Sequence, residues 1–268
     1  MDLLRMFDRA PPPPARFPPG RVGFAVGDIH GRADLLADMI LELEALAAEE
    51  RRGDAVPLVI FLGDYVDRGP DSKGVIDMLL ERRPFGYERR FLMGNHEQSM
   101  LAFLDDPLSN RAWLLQGGVE TLLSYGVQPP PPVGAEEQDW IGVAQLFRAK
   151  LPETHLDFLR NLERYVELGD YAFVHAGVDA ARPLEAQTDE DLYWIRSRFL
   201  TSKRRFTHRV VHGHTPVDAP FMDERRVAVD TGAYASGLLT AARFEDDDVA
   251  FLTVSDRRPD WIAAGARF

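Results

Sequence analysis

Hydrophobic positions in the first third of the chain alternate between short apolar runs and helical spacing. Residues 22–26 form an apolar run that ends at a glycine, which is typical of a buried strand. In residues 33–50 apolar side chains recur every three or four positions, which predicts a helix with one core-facing stripe: Leu35, Leu36, Met39, Ile40, Leu43 and Leu46. Further strands are predicted at 56–62 and 89–93, with a helix at about 73–81 between them. This alternation predicts a parallel sheet with crossover helices.

Beyond residue 98 the pattern changes to helical segments separated by breakers. We predict a helical insert at about 98–164, because this stretch is too short and too interrupted to form a core of its own. Strand signals resume at 165–168, 171–174 and 209–211. The last apolar runs predict antiparallel strands that close the chain, at 226–229, 238–244 and 249–254.

The start of the chain is rich in proline, and residues 1–20 predict an extended arm that precedes a single domain at 21–268. We interpret the arm as a solvated tether of the first strand, in preference to a docking segment for a proline-binding partner.

Composition narrows the classes of function. The net charge of −12 argues against general binding of nucleic acid, which needs clustered cations. The absence of cysteine excludes disulfides and thiolate chemistry. An apolar run long enough for a membrane span and an apolar signal-peptide core are both missing, so we expect a cytoplasmic protein without a membrane partner. Oligomeric state is left open.

Metal-binding side chains follow three predicted strands, in the glycine-bounded segments 27–31, 63–69 and 94–97. Two His-Gly elements lie further along the chain. Together they supply six candidate ligands: Asp28, His30, Asp64, Asn95, His175 and His214. Oxygen and imidazole ligands without thiolate suit divalent cations, and there are enough of them for two ions. Sites of parallel sheets lie beyond the carboxyl ends of the strands, where these segments fall.

The segments Gly-Asp-Tyr-Val-Asp-Arg-Gly at 63–69 and Gly-Asn-His-Glu at 94–97 resemble those of the calcineurin-like metallophosphoesterase superfamily, and in particular its phosphoprotein phosphatase branch. Small bacterial and bacteriophage Ser/Thr protein phosphatases are similar in size. The resemblance covers about residues 22–251. It implies a fold of the α/β (α+β) class, a four-layer α/β/β/α sandwich that carries the helical insert. It also implies two divalent metal ions, of which Mn²⁺ is our first choice, with iron or zinc as alternatives.

The resemblance also implies a role for each motif residue. Asp28 and His30 would bind the first metal, and Asp64 would bridge both. Asn95, His175 and His214 would complete the second site. His96 would be the general acid, oriented by Asp67. The phosphate would be held by Arg68, Arg196 and Asn95.

Elementary chemistry agrees with these roles. A hydroxide whose pKa is lowered by two cations is a strong nucleophile for in-line attack on phosphorus. A serine or threonine alkoxide is a basic leaving group, and an imidazolium can give it a proton. A carboxylate on the far ring nitrogen would stabilise that imidazolium. The planar arginine fork suits phosphoryl oxygens.

Several residues have other interpretations. The polar residues that follow the strands could be helix N-caps. Asp67 could pair with Arg68, and Glu97 is expected to support its loop by hydrogen bonds. His212 is predicted to support the site, with metal ligation as the alternative. Arg198 competes with Arg196 for the second phosphate contact. His155 and His208 are predicted to be surface or packing residues.

The most direct functional hypothesis is a Ser/Thr protein phosphatase, acting on a phosphorylated protein or a small phosphoester. The alternative enzyme is a symmetrical dinucleoside tetraphosphate hydrolase. Such hydrolases generally lack the aspartate that stands here at Asp67, and their leaving group needs less help from an acid. A third hypothesis is a catalytically inactive scaffold for phosphorylated partners, which predicts a missing ligand or acid.

Overall fold

The computed structural model describes residues 14–50, 56–81 and 85–256. Within these ranges the strands are β1 (Val22–Val26), β2 (Leu58–Phe61), β3 (Glu88–Phe91), β4 (Val166–Leu168), β5 (Tyr171–Phe173), β6 (Arg209–His212), β7 (Phe221–Met222), β8 (Arg226–Ala228), β9 (Leu238–Glu245) and β10 (Asp248–Ser255). The α-helices are α1 (Ala33–Glu50), α2 (Ser72–Leu80), α3 (Asn95–Asp105), α4 (Val119–Ser124), α5 (Glu137–Lys150), α6 (Glu153–Arg160), α7 (Asp189–Trp194), α8 (Ser197–Leu200) and α9 (Ala233–Ser236). A kinked helical segment at Leu114–Gly118, in which Gly117 has non-helical backbone angles, and a 3₁₀ turn at Leu184–Ala186 complete the elements.

The strands form two mixed sheets of five strands each. The first has the order β10-β9-β1-β2-β3, in which β1, β2 and β3 are parallel, as predicted, and are connected by α1 and α2. β9 pairs antiparallel with β1, and β10 pairs antiparallel with β9. The second has the order β4-β5-β6-β8-β7, with β5, β6 and β8 parallel.

The prediction of antiparallel closing strands is borne out for β8 on one side only. This strand pairs antiparallel with the two-residue strand β7 and parallel with β6. The final two strands do run antiparallel, yet they return to the first sheet, where β9 lies beside β1. The chain thus forms three strands of the first sheet, then all five strands of the second, and returns to the first sheet for the last two described strands.

Three apolar clusters define the layers. The inner cluster lies between the sheets and contains residues of both, among them Ile60 and Phe244 from the first and Phe173 from the second. The outer cluster of the first sheet includes the apolar face of α1 and the helices of the insert. The outer cluster of the second sheet includes residues of α7 and α8. The predicted four-layer α/β/β/α arrangement is confirmed.

Part of the proline-rich lead-in packs against this core. Phe17 is almost completely buried, stacks on Phe244 with ring centroids 5.9 Å apart, and donates its N–H to the Asp246 carbonyl at 2.6 Å. The prediction of an arm for residues 1–13 lies outside the described residues. Among the helices of the described ranges, none combines the length and the apolar character needed to span a lipid bilayer.

Candidate metal centre

The six candidate ligands come together at one edge of the two sheets. Asp28, Asp64 and Asn95 follow β1, β2 and β3, whose carboxyl ends meet because the strands are parallel. His175 follows β5 and His214 follows β6, which are parallel to each other in the second sheet. All six side chains are buried, including that of His30 in the loop after β1. Burial of so many polar groups is costly unless they bind one another or an ion.

The backbone at this edge is held in an unusual conformation. Among the described residues, six non-glycine residues have positive φ, and five of these belong to the motif segments: His30 (47°), Asp64 (53°), Asp67 (74°), Arg68 (68°) and His214 (62°). Residues other than glycine rarely adopt this left-handed region, and such strain is concentrated at functional sites in proteins.

Glu97 holds two of these loops together. Its buried carboxylate accepts the backbone N–H groups of Asp64 at 2.8 Å, Tyr65 at 2.7 Å and Val66 at 3.2 Å, and also that of Gly94 at 3.0 Å. The predicted role of Glu97 as a support for its loop is confirmed by these four contacts.

Asp64 lies between two groups of potential metal ligands. His30, Asp64 and His96 form one group, and Asp64, His175 and His214 form the other. Within each group the ligand atoms are no more than 4.8 Å apart. The Oδ2 atom of Asp64 is 3.5 Å from His30 Nε2, and its Oδ1 atom is 3.3 Å from His175 Nε2. One carboxylate therefore faces two sites, as a bridging ligand requires.

The tautomers of two histidines leave a ligand nitrogen facing the centre. His30 donates Nδ1–H to the Val66 carbonyl at 2.9 Å, and His175 donates Nδ1–H to the Leu62 carbonyl at 2.9 Å. A carbonyl that binds one ring nitrogen directs the lone pair of the other, Nε2, toward a metal. Burial lowers the pKa of His30 to about 3, so its imidazole is neutral and able to ligate at neutral pH.

Asn95 and His214 lie on the side of His175. The Oδ1 atom of Asn95 is 3.0 Å from His175 Nε2 and 2.8 Å from His214 Nδ1. The Nε2 atom of His214 is buried and has no hydrogen-bond partner in the described part of the chain. Burial, followed by the neighbouring His175, lowers the pKa of His214 to about 2. These convergent donors fit a divalent cation.

Asp28 stands apart from both three-residue groups. Its carboxylate oxygens accept the backbone N–H of His214, at 3.0 and 3.2 Å. Its pKa is raised well above its usual value, first by burial and then by the charges of Asp230 and Asp64. The buried carboxylates of Asp28, Asp64 and Asp230 therefore repel one another, and bound cations would offset that repulsion.

His96 and Asp67 are in direct contact. His96 donates Nδ1–H to Asp67 Oδ2 at 2.6 Å, and both side chains are buried. Burial alone would lower the pKa of His96, but the Asp64 and Asp67 carboxylates outweigh it and the pKa is raised. The other ring nitrogen, Nε2, lies 3.9 Å from Asp64 Oδ2 and so faces the centre.

Arg68 points into the site and does not pair with Asp67. Its guanidinium donates to His30 Nε2 and to His96 Nε2, both at 2.9 Å, and lies 4.8 Å from the centre of the Tyr234 ring. The alternative of an Asp67–Arg68 ion pair is therefore not what the structure contains.

The two competing arginines differ in their surroundings. Arg198 contacts the carboxylates of Asp191 and Asp179, so salt bridges account for it. Arg196 is exposed, donates to Thr215 Oγ1 at 3.2 Å, and forms no ion pair within the described ranges. Thr215 directly follows His214, which brings Arg196 to the rim of the centre.

Three histidines remain: His155, His208 and His212. His212 is buried, and it contacts the Gly213 carbonyl at 3.0 Å and the Arg226 guanidinium at 3.2 Å. It belongs to neither ligand group. His155 packs in the insert, and His208 contacts Glu167 at 3.2 Å.

Four further residues of the site were missed in the sequence. Asp230 is buried beside Asp28, and its position just after β8 repeats the strand-then-carboxylate pattern, which could have revealed it. Tyr234 has its ring 5.4 Å from that of His30 at the rim. Trp113 and Thr121, from the insert, both donate to the Asp67 carboxylate. No local pattern marks these last three.

A fold of two mixed sheets with buried carboxylates and imidazoles at their common edge defines a metallophosphoesterase. The chain matches the family described as calcineurin-like phosphoesterase over residues 24–248, and it belongs to that family. The predicted superfamily is thereby confirmed. Members of this family are hydrolases that use divalent metals, and the carboxylate, imidazole and amide donors described above suit such ions.

The names of the relatives describe two different activities. The chain is 28% identical to "Bis(5'-nucleosyl)-tetraphosphatase PrpE [asymmetrical]" of Halalkalibacterium halodurans, in an alignment of 87% of this chain and 94% of that protein. It is also 28% identical to "Serine/threonine-protein phosphatase 1" of Salmonella typhimurium, over 83% of this chain and 91% of that protein.

Solved structures agree on the fold. A putative diadenosine tetraphosphatase is 19% identical with a TM-score of 0.58, and the match covers 88% of this chain and 94% of that one. A cold-active protein tyrosine phosphatase is 16% identical with a TM-score of 0.53, and the match covers 88% of this chain and 81% of that one.

Proposed function

We propose that this phosphoesterase is a dinuclear-metal phosphomonoesterase that acts on phosphoserine and phosphothreonine of proteins. The observation that carries the proposal is the buried His96–Asp67 pair beside a carboxylate that faces two ligand groups. A hydrolase for weakly basic leaving groups gains little from a general acid, whereas a serine or threonine alkoxide needs a proton.

The proposed ligands are Asp28, His30 and Asp64 for the first cation, and Asp64, Asn95, His175 and His214 for the second. Two divalent cations bound there would supply Lewis-acid stabilisation of the phosphoryl charge and would lower the pKa of nearby water. Mn²⁺ is the proposed ion, because mixed carboxylate, imidazole and amide ligands suit it.

His96 is proposed to give a proton from Nε2 to the leaving oxygen once a bound phosphate draws away the Arg68 guanidinium, which donates to that nitrogen in this structure. Asp67, bound to Nδ1 at 2.6 Å, stabilises the imidazolium and fixes the ring so that Nε2 faces the substrate. Arg68 and Arg196 are proposed to bind phosphoryl oxygens through their planar guanidinium forks. Arg196 suits this role better than Arg198, whose charge is already paired with Asp191.

The experiment that tests this proposal compares metal-loaded wild-type protein with the His96→Asn variant. The substrates are phosphoserine, phosphothreonine and phosphotyrosine peptides, an aryl phosphate and a dinucleoside tetraphosphate. We expect kcat on the phosphoserine peptide to fall by about 100-fold or more in the variant, because general acid catalysis contributes that much. An unchanged rate would reject His96 as the acid. His208→Asn, at a histidine far from the centre, is the matched control.

The second candidate function is hydrolysis of dinucleoside tetraphosphates, which is favoured by the name of the Halalkalibacterium relative. Faster turnover of the dinucleotide than of every phosphopeptide would select this function. The products then separate its two forms, because symmetrical cleavage gives two nucleoside diphosphates and asymmetrical cleavage gives a mono- and a triphosphate. A catalytically inactive scaffold is disfavoured, because no proposed ligand or acid is missing from the sequence.

A further inference from the structure

We infer that Trp113 and Thr121 of the helical insert are positioning residues, which hold the Asp67 carboxylate in place against His96. This inference rests on the proposed function and deepens it. It gives the insert a part in proton transfer, beyond any contact that the insert makes with substrate.

The first observation is the set of donors to Asp67. Its side chain is completely buried, and each carboxylate oxygen is bound. Thr121 Oγ1 donates to Oδ1 at 2.6 Å, Trp113 Nε1 donates to Oδ2 at 2.8 Å, and His96 Nδ1 donates to Oδ2 at 2.6 Å. Two of the three donors therefore come from the insert, 46 and 54 residues away in sequence.

The second observation is that Thr121 also holds the backbone of Asp67. The Asp67 N–H donates to Thr121 Oγ1 at 2.9 Å and to Ser72 Oγ at 3.0 Å, and these two hydroxyls are 2.9 Å apart. One threonine hydroxyl thus binds both the main chain and the side chain of the same aspartate. Because Asp67 has a φ of 74°, its conformation is unfavourable in isolation and needs such contacts.

The insert also binds the next residue along the chain. The Arg68 N–H donates to the Gly117 carbonyl at 3.1 Å. A Cβ atom on Gly117 would lie 2.7 Å from the Arg68 nitrogen, and Gly117 itself has a φ of 113°. Only glycine permits this close approach in this conformation.

The local structure of the insert explains how it presents these groups. Trp113 immediately precedes the segment 114–118, in which the helix is kinked at Gly117, whose φ of 113° is non-helical. Its ring packs on Phe103 and Phe147, with centroids 5.0 and 5.8 Å away. The indole is therefore fixed by aromatic neighbours, and its N–H points at Asp67.

The expected consequence concerns orientation. Loss of the Thr121 hydroxyl leaves Oδ1 of the buried Asp67 carboxylate without a side-chain donor, and loss of the Trp113 N–H leaves Oδ2 bound by His96 alone. In either case the carboxylate turns toward its remaining partners. His96 then loses the short contact that fixes its ring, so proton delivery to a basic leaving group becomes inefficient. The rate of hydrolysis of aryl phosphates should change little, because their leaving groups need little protonation.

The test uses two variants that each remove one donor to Asp67: Thr121→Val, which nearly preserves the shape of the side chain, and Trp113→Phe, which replaces the indole by a smaller aromatic ring. We expect kcat on a phosphoserine peptide to fall by about 10- to 100-fold, within the range for general acid catalysis, with KM unchanged. The rate on p-nitrophenyl phosphate should fall by less than about 3-fold. Equal losses on both substrates would indicate a merely structural role and would overturn the inference.

Three further variants sharpen this experiment. Thr121→Ser keeps the hydroxyl and should restore most of the phosphoserine rate. Tyr125→Phe removes a buried hydroxyl hydrogen bond to His155, elsewhere in the insert, and should leave the ratio of the two rates unchanged. In the His96→Asn background, Thr121→Val should cause no further loss, because the two residues act as one unit. A full additional loss in that background would contradict the inference.

A spectroscopic measurement separates this inference from the proposed function. In proton NMR, the His96 Nδ1–H bound to Asp67 should give a downfield signal that is absent in His96→Asn. Thr121→Val and Trp113→Phe should shift or abolish that signal, and Tyr125→Phe should not. An unchanged signal in both variants would reject the positioning role. If the wild type shows no phosphoserine activity, the proposed function fails, and the NMR result still decides the positioning role.

Discussion

At the scale of single residues, the centre depends on side chains that hold strained backbone as much as on its ligands. Glu97 is the clearest case, because one buried carboxylate accepts four N–H groups from two loops. Asp64, which faces both ligand groups, has its own N–H bound in this way and is held at a φ of 53°. The charge of Glu97 is therefore used to fix a loop.

We expect Glu97→Gln to destabilise the protein although it preserves shape. A glutamine has a single acceptor oxygen, and its NH₂ group would face backbone donors, so at least one N–H loses its partner. The free energy of unfolding should fall by about 2 kcal/mol or more, measured by urea denaturation. Glu163→Gln, at a partly exposed ion pair with Arg90, should cost less than about 1 kcal/mol. Equal effects would contradict this account of Glu97.

Tyr234 provides a second prediction at this scale. The residue is 40% exposed, its ring lies against Arg68 and His30, and it lines two surface clefts of about 490 and 290 Å³. Tyr234→Ala removes the ring under the guanidinium, a contact worth about 0.5–1 kcal/mol. KM for a small phosphoester should rise by about 2- to 5-fold with little change in kcat, and Tyr234→Phe should behave like wild type. A loss in kcat alone would reject this role.

At the scale of elements, side-chain hydrogen bonds join the insert to α2. Tyr125 contacts His155 Nδ1 at 2.8 Å, and His155 Nε2 contacts Asp77 on α2 at 3.0 Å. Burial lowers the pKa of His155, and the nearby Asp77 only partly offsets this. The joint between the insert and α2 therefore favours the neutral imidazole of His155.

This joint should weaken in acid. Because the folded pKa of His155 lies below its unfolded value of about 6.5, the unfolded state takes up the proton first as the pH falls. The contribution of neutral His155 to the free energy of unfolding is fully present above pH 6.5. It is lost as the pH drops toward the folded pKa. We expect the slope of unfolding free energy against pH, between pH 7 and 5, to be smaller in His155→Gln by up to about 1.4 kcal/mol per pH unit. An identical slope would show that His155 does not titrate on unfolding.

The sequence predicted elements better than their arrangement. The α1 stripe and the β1 run were visible because their periodicity reflects burial on one or two faces. The parallel pairing of β8 with β6 was not predicted, and its antiparallel partner β7 is too short to leave a pattern. The motif ligands were recognisable because each follows a strand directly. Trp113 and Thr121 were not, because their proximity to Asp67 arises only when the insert packs.

At the scale of the whole molecule, a protein of net charge −12 concentrates buried carboxylates at the place where it would bind an anionic phosphate. Asp28 and Asp230 have raised pKa values, chiefly from burial, with nearby carboxylate charges adding to the shift. Such crowding disfavours the folded state unless cations enter. Metal ions are therefore expected to stabilise the fold as well as to serve the chemistry.

We accordingly expect Mn²⁺ to raise the melting temperature of protein freed of metal by chelation. A ligand at 100 times its Kd that binds only the folded state stabilises it by about 2.7 kcal/mol. For a chain of this size the shift corresponds to about 5–10 °C, measurable by calorimetry. Asp64→Asn removes the shared bridging charge and should abolish most of the shift, because both ligand groups include Asp64. Asp179→Asn, at a carboxylate that pairs with Arg198 in the second sheet's outer layer, should retain it. A shift that survives in Asp64→Asn would mean that Mn²⁺ stabilises the protein at another place, and the ligand assignment would fail.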